Sequence, residues 1–453
     1  MTTATSDPTG EVTELLQHLI RNACVNDGSP DSGQEGRSVD VLAAYLQGAG
    51  LDLERYESIS GRSSLVARIE GSDPDAPSLL LMGHTDVVPV TLENWHRDPF
   101  GGELVDGYVW GRGAVDMLNE TTSMAVAFKR LAQSGFTPRG TLIYLAVADE
   151  EALGIYGAEW LLQNRPEAVK ADYVITEAGG FNMPLPSRSG PKLPVMVGEK
   201  GTFWASIVVK GTPGHGSMPF RTDNALVKSA NVVQRLATYR PQTQIEGIWR
   251  RFVESLDVPD SLARLLLDAD SLNAFCESEA TDLGLARMVN AATHNTIAPT
   301  MGHGGIKTNV IPDRVELQVD IRTLPGETDA DVISMLTEAI GADLMRDIEI
   351  TPRGTNTASA SKIDTPLWDS LARVSSALVP AAVTVPFIMV AATDARFFRR
   401  AGSVAYGYGL FSERISFKDF GSMFHGNNER IDQESLQLSE ALWEGVARDF
   451  LIG

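Results

Sequence analysis

Apolar positions recur along the chain with two periods, and the alternation between them predicts the architecture. Between residues 11 and 24, Val12, Leu15, Leu16, Leu19, Ile20 and Ala23 fall on one face at helical spacing. A second amphipathic helix is expected over 38–47, stopped by Gly48 and Gly50. Residues 64–69 read as a short strand, and Gly71-Ser72-Asp73-Pro74-Asp75 as a turn. The run Leu79-Leu80-Leu81-Met82 holds no polar residue, which marks a strand buried on both faces, and it ends abruptly in Gly83-His84-Thr85-Asp86. A helix is predicted from about 120 to 133, with Met124, Ala127, Phe128 and Leu131 turned inward. Two further strands, 141–148 and 172–176, end in Asp149-Glu150-Glu151 and in Glu177-Ala178-Gly179-Gly180. Strands alternating with helices predict an α/β fold with a doubly wound parallel sheet. In such a sheet the carboxyl ends of the strands share one edge, so these acidic residues and His84 would converge.

The pattern changes near residue 200. Residues 202–210 alternate like a half-exposed strand, Gly211-Thr212-Pro213-Gly214-His215-Gly216 is a turn, and 224–237 form a helix. Residues 245–290 are mostly helical and polar; 315–321 is a strand, 329–340 a helix and 347–351 a strand. This set predicts a smaller α+β domain with a helical insertion. The stretch Gly354-Thr355-Asn356-Thr357-Ala358-Ser359-Ala360-Ser361 reads as a linker back. Beyond it, 365–378 is helical, 385–391 and 403–408 are strand-like, and the last helix occupies about 433–450. The expected organisation is one domain inserted in another: 1–200 with 357–453, interrupted by 201–356.

Composition narrows the partners. The 453 residues carry 59 Asp+Glu against 38 Lys+Arg, a net −21, which argues against nucleic acid or an anionic membrane. Cys24 and Cys276 are too few and too far apart for a disulfide framework, and no CxxC occurs, so a reducing compartment is expected. No run of about 18 apolar residues suggests a membrane span. The opening Met1-Thr2-Thr3-Ala4-Thr5-Ser6-Asp7 lacks the basic and apolar regions of a signal peptide. The expected location is cytoplasmic.

Each candidate residue has an ordinary reading when taken alone. His84 with Asp86 is either a turn histidine or a metal ligand with a carboxylate behind its ring. Asp116 before a helix is a cap or a ligand. Glu150-Glu151 is a solvated charge pair, or a ligand beside a proton acceptor. His215 is a loop residue, and His18, His96, His294 and His303 give no stronger signal. Their joint occurrence with His425, in Met423-Phe424-His425-Gly426-Asn427-Asn428-Glu429, changes the picture. Five nitrogen or oxygen ligands, one of them bridging, suffice for two zinc ions about 3.5–4 Å apart.

With these motifs in order, the chain resembles the dinuclear zinc hydrolases that include aminoacylase, glutamate carboxypeptidase, vacuolar carboxypeptidase S and succinyl-diaminopimelate desuccinylase. The resemblance runs nearly full length. It rests on Gly83-His84-Thr85-Asp86, Gly111-Arg112-Gly113-Ala114-Val115-Asp116-Met117, Ala148-Asp149-Glu150-Glu151, Glu177-Ala178-Gly179-Gly180, Gly214-His215-Gly216-Ser217-Met218-Pro219, Asn309-Val310-Ile311-Pro312, Asp320-Ile321-Arg322, Thr393-Asp394-Ala395 and His425-Gly426. It implies a zinc-peptidase-like catalytic domain with an inserted ferredoxin-like lid domain. It also implies two Zn2+ per subunit, with Co2+ or Mn2+ as substitutes. His84 and Glu177 would bind one ion, Glu151 and His425 the other, and Asp116 both. Glu150 would be general base and then general acid. Asp86 would orient His84. His215, from the lid, would stabilise the oxyanion; in dimeric relatives it reaches the partner subunit's site. Arg322, assisted by Asn309, would grip a substrate carboxylate. The Asp116–Met117 peptide is expected to be cis, and the subunits to pair through the lid.

Relatives usually continue the aspartate motif with Met-Lys-Gly; here Met117-Leu118-Asn119-Glu120 follows, and the ligand itself is kept. Glu at position 177, where aminopeptidases carry Asp, favours acylases and carboxypeptidases. The implied substrates are R-CO-NH-CHR′-COO⁻, either N-acyl amino acids or peptides with a free C-terminus. The Gly-His-Gly-Ser-Met-Pro form and the long polar insertion resemble the carboxypeptidase S branch most. The alternatives are a dipeptidase or aminopeptidase on the same scaffold, and a non-catalytic metal-stabilised binding protein.

Overall fold

A computed structural model describes residues 7–183 and 187–452. The first six residues, part of the stretch read for a signal peptide, lie outside it. Helix α1 (Pro8–Asn22) starts where Asp7 accepts a hydrogen bond from the Thr9 backbone N–H at 3.1 Å, and Pro8 supplies a first-turn φ at no cost in donors. It ends at Ala23 in the left-handed region. Helix α2 (Gly36–Leu46) packs beside it.

The principal strands are, in chain order, β1 (Leu53–Glu57), β2 (Ser63–Ile69), β3 (Leu79–His84), β4 (Leu142–Val147), β5 (Tyr173–Thr176), β6 (Lys192–Glu199), β7 (Gly201–Lys210), β8 (Thr296–Gly304), β9 (Arg314–Thr323), β10 (Ile348–Asn356), β11 (Ser359–Ala360), β12 (Val383–Met389) and β13 (Val404–Gly407). The large sheet has nine strands in the order β1-β2-β4-β3-β5-β13-β6-β11, with β12 also on β6. Its centre, β4-β3-β5-β13, is parallel. The flanks are mixed: β12 runs parallel to β6, whereas β1–β2, β2–β4, β13–β6 and β6–β11 are antiparallel.

The apolar runs work by alternation. Leu79 and Leu81 of β3, with Leu142, Tyr144 and Ala146 of β4, enter one core, together with α1 and helix α3 (Leu118–Gln133). Leu80 and Met82, with Ile143, Leu145 and Val147, enter a second core on the opposite face. Both faces are covered, as a doubly wound sheet requires. The register β3–β4 pairs His84 with Val147, so both strands finish at one level and Glu150 follows beside His84.

The smaller sheet, β8-β9-β7-β10, is antiparallel. Phe203, Ala205, Ile207 and Val209 of β7 and Val315, Leu317, Val319 and Ile321 of β9 bury one face against helices α4 (Ala225–Thr238) and α9 (Asp329–Ile340). Helix α9 opens on a capping box, Thr328 with Asp331. Thr202 and Trp204 of β7 and Arg322 of β9 lie on the other face, toward the large sheet. The four helices between 248 and 293 do not join this small core. Trp249, Phe252, Leu256, Leu266, Leu272 and Val289 are buried with the large one. The expected linker at 354–361 is shorter than predicted, because β10 continues to Asn356 and Ser359–Ala360 pairs with Glu199 and Gly198. Among the described residues, no helix is long and apolar enough to cross a membrane.

Candidate active site

Three parallel strand ends and two loops bring the polar residues together. His84 ends β3, Glu150 and Glu151 follow β4, and Glu177 follows β5. Asp116 arrives on the loop before α3, through a cis Asp116–Met117 peptide. His425 comes from the turn after a short helix, Phe417–Met423. Two overlapping groups result, His84/Asp116/Glu177 and Asp116/Glu151/His425, each with ligand atoms within 4.8 Å of one another. Asp116 belongs to both. Its Oδ1 lies 3.2 Å from His84 Nε2, and its Oδ2 lies 3.2 Å from His425 Nε2. Glu151 Oε2 is 3.1 Å from the same His425 nitrogen, and Glu177 Oε2 is 4.0 Å from His84 Nε2.

The electrostatics are those of a cation site. Burial, then the charge of Glu150 and Asp116, raises Glu177 well above the carboxylate range. Burial and Asp116 push Glu151 up to about 7, and burial, opposed by His84 and reinforced by Glu151, pushes Glu150 up to about 8. Hydrogen bonds to Asp116 and Glu151 push His425 up to about 10. Among the described residues, Asp116, Glu151 and Glu177 form ion pairs with His84 and His425 alone. Glu151 Oε1 is buried with no hydrogen-bond partner. Two imidazoles and three carboxylates, with a lone pair left over, fit divalent zinc-like cations.

A polar scaffold holds this cluster. His84 Nδ1 meets the backbone carbonyl of Asp86 at 2.9 Å, whereas the nearer Asp86 carboxylate oxygen is 3.6 Å away. The backbone of Asp86, rather than the expected carboxylate, is therefore the closer partner of the ring. The carboxylate instead accepts the N–H groups of Glu150 (3.2 Å) and Glu151 (3.1 Å) and the Asn26 amide (2.8 Å). Asn26 also bonds Asp149, which adopts φ 70° at the start of the turn. Beneath lies Arg62, fully buried, 2.6 Å from Glu35 and 3.4 Å from Asp149. Glu429 does the same for the Asp116 loop: its carboxylate accepts from the backbone of Gly113, Val115 and Asp116 and from Arg112. Sequence reasoning assigned no role to Asn26, Glu35, Arg62 or Glu429. In place of the Lys-Gly expected from the resemblance stand Leu118 and Asn119, buried with Glu120 at the start of α3.

The cluster floors a cavity of about 640 Å³. Asp116, Glu150, Glu151, Glu177 and His425 line one side, and Thr202, Trp204 and Arg322 the other. The Arg322 guanidinium bonds Asp320 through two nitrogens (2.8 and 3.1 Å) and Thr202 Oγ1 at 3.1 Å. Two expected site residues are elsewhere. His215 is exposed, bonded through Nδ1 to Ser217 Oγ at 2.7 Å, and does not line the cavity. Asn309, expected to assist Arg322, is instead the neighbour of His215, its carbonyl accepting the Gly216 N–H at 2.8 Å. The reason is topological: 214–215 and 310–311 pair as a separate two-stranded ribbon.

The chain is 27% identical over 440 residues to the N-fatty-acyl-amino acid synthase/hydrolase PM20D1 of Xenopus tropicalis, covering 94% of this chain and 83% of the relative. It is 28% identical to Aminoacylase-1 of Mus musculus, covering 98% and 96%. Its fold is similar to that of an M20 family metallo-carboxypeptidase, Sso-CP2 of Sulfolobus solfataricus, with a TM-score of 0.73 at 17% identity over 97% of this chain and 99% of that one. A family model matches residues 80–449, spanning every strand end and loop that supplies the cluster, and the chain belongs to the hydrolytic Peptidase family M20/M25/M40.

Proposed function

We propose that the chain is a metal-dependent amidohydrolase that releases an amino acid from R-CO-NH-CHR′-COO⁻, an N-acyl amino acid or a peptide with a free C-terminus. One observation carries this reading: two ligand groups sharing Asp116 floor a cavity whose opposite wall presents Arg322. The similarity to an aminoacylase and an N-fatty-acyl-amino acid hydrolase supports it.

In this reading His84 and Glu177 would hold one divalent metal ion, zinc by our proposal, Glu151 and His425 would hold the other, and Asp116 would belong to both sites. When bound, the metals supply Lewis acidity, polarising the carbonyl and lowering the pKa of water. Glu150 is a neighbour of the ligands without being needed as one, and burial raises its pKa above the usual carboxylate range, which suits a group that takes and then returns a proton. It accepts the proton of the attacking water and delivers it to the leaving nitrogen. Asp86 fixes that carboxylate by holding the N–H groups of residues 150 and 151. Arg322 orients the substrate through its α-carboxylate.

Within 201–356, the small sheet with α4 and α9 serves as lid and dimer arm, while the helices between 248 and 293 belong with the large core. His215 and Asn309 act on the cavity of a second copy rather than their own. Phe220 and Ile306, near them in the chain, leave 83% and 91% of their surface in water, which a homodimer contact would relieve. Free Cys24 and Cys276 accord with a cytoplasmic enzyme.

Glu150→Gln tests the assignment. Turnover of N-acyl amino acids should fall about 10²–10⁴-fold, with metal content by elemental analysis unchanged. An unchanged rate removes Glu150 as the base. Activity confined to substrates with a free α-amine transfers the enzyme to the dipeptidase and aminopeptidase reading.

A further inference from the structure

Beyond the carboxylates and histidine at its floor, the cavity has room for a further apolar group. Away from the ligands its walls carry Leu153, Ile155, Trp204, Val390, Phe397 and Phe424. Four of these are unusually wet for their type: Leu153 is 50% exposed, Ile155 49%, Trp204 41% and Val390 39%. Scattered exposed apolar residues are ordinary, but four converging on one cleft beside a cluster of carboxylates are not.

Leu153 is the most telling of them. It sits two residues beyond Glu151 with φ 82°, in the left-handed region that suits glycine and rarely a branched side chain. The conformation is held from behind. The Leu153 carbonyl accepts a hydrogen bond from Arg396 Nη2 at 2.7 Å, and that guanidinium stacks over Phe397 at 4.4 Å. The turn is therefore braced so that an apolar side chain projects into the cleft next to the general base. A braced, exposed leucine recovers its cost when an apolar group packs on it.

The two walls of the cavity differ. Arg322 and Trp204 lie on the lid sheet, whereas Leu153, Ile155, Val390 and Phe397 lie on the catalytic side. A substrate with its α-carboxylate at Arg322 and its carbonyl over the ligands directs its acyl arm away from the lid, along that second wall. We infer that Leu153, Ile155, Val390 and Phe397 form an acyl subsite, and that the preferred substrates are N-acyl amino acids with an apolar acyl chain of about six carbons or more. This inference rests on the amidohydrolase reading above.

The experiment compares N-acetyl, N-hexanoyl, N-octanoyl and N-dodecanoyl derivatives of a small panel of amino acids, using the metal-loaded full chain. The expected result is a rise in kcat/KM of at least tenfold from acetyl to octanoyl, carried mainly by KM. Leu153→Gly, which suits the backbone, and Val390→Ser, which leaves the base turn alone, should each cut the octanoyl-to-acetyl ratio at least threefold. Equal kcat/KM for acetyl and octanoyl derivatives overturns the subsite while leaving the amidohydrolase reading intact. So does a preference that follows the amino-acid side chain and ignores the acyl length, which would give the apolar wall to the other arm. A chain-length preference that both variants leave unchanged refutes the residues named. If no N-acyl amino acid or C-terminal peptide is cleaved at any length while free dipeptides are, the underlying reading fails and the subsite falls with it.

Discussion

Replacing Arg62 by methionine tests the buried scaffold beneath the Glu150-Glu151 turn. The guanidinium bonds Glu35 Oε1 at 2.6 Å, Asn26 Oδ1 at 3.0 Å, the Ser29 carbonyl at 3.1 Å and Ser32 Oγ at 3.2 Å, and faces Asp149 at 3.4 Å. Methionine matches its stem but leaves these acceptors and two buried carboxylates without their cation. Breaking such a pair from one side costs about 3–5 kcal/mol when the orphaned charge must stay. Glu35 has an escape. Burial and Asp86 already raise it from 4.5 to about 7 despite Arg62, so without the arginine it folds protonated. The sign then follows: the folded state holds a proton that the unfolded state releases above 4.5, so stability falls as pH rises. Removing the guanidinium raises Glu35 further, so the Glu35 share of the penalty is small below pH 7 and grows as the pH rises above it. With the lost hydrogen bonds to Asn26, Ser29 and Ser32 at about 1 kcal/mol each, Arg62→Met should cost about 3 kcal/mol at pH 7 and more at pH 8. Urea unfolding at 25 °C, followed by fluorescence across pH 6–8, measures it. Arg62→Met combined with Glu35→Leu should lose most of the added pH dependence. A penalty below about 1 kcal/mol, or one flat across that range, would show that the network does not carry the load assigned to it.

Two further expectations concern the lid. Lys200 is buried at its base, donating to the carbonyls of Ala291 (2.9 Å) and His294 (2.6 Å), and burial, then the Arg322 charge, lowers it from 10.5 to about 7. Between those values the unfolded chain binds the extra proton, so this group's stability contribution is full above about 10.5 and is lost as pH falls toward 7; Lys200→Met should flatten urea stability over that window, by at most ~1.4 kcal/mol per unit. Phe220→Asp with Ile306→Asp should convert dimer to monomer in sedimentation velocity and lower kcat more than metal content, because His215 then has no second cavity to serve; a stable dimer with full activity would refute the lid contact.

What the sequence makes legible follows from where a signal is local. The strands β3, β4 and β5 are continuous apolar runs that stop at a charged residue, and a parallel sheet turns that one-dimensional coincidence into convergence at one edge. Strand β6 hides because Pro194 breaks its run, yet β13 meets β6 only at Gly407 and Met196, so the missing N–H is little felt. Strand β8 hides for a different reason: it is an exposed edge with a bulge after Pro299, so it needs no alternation. The ligands were similarly local, but their supports are not. Asn26, Glu35 and Arg62 lie in three separate segments, and nothing in any one of them distinguishes a buried polar residue from a solvated one. Glu429 did have a signal, since the Gly111-Arg112-Gly113 loop offers backbone donors with no partner in its own segment, and a carboxylate four residues past His425 is placed to accept them. His215 and Asn309 mark the limit of reading one chain. They sit together on a ribbon at the lid surface, so the order of residues names them as a pair but not the cavity they serve. The exposed Phe220 and Ile306, near them in the chain, support the proposed second copy, and the double substitution above is what tests it.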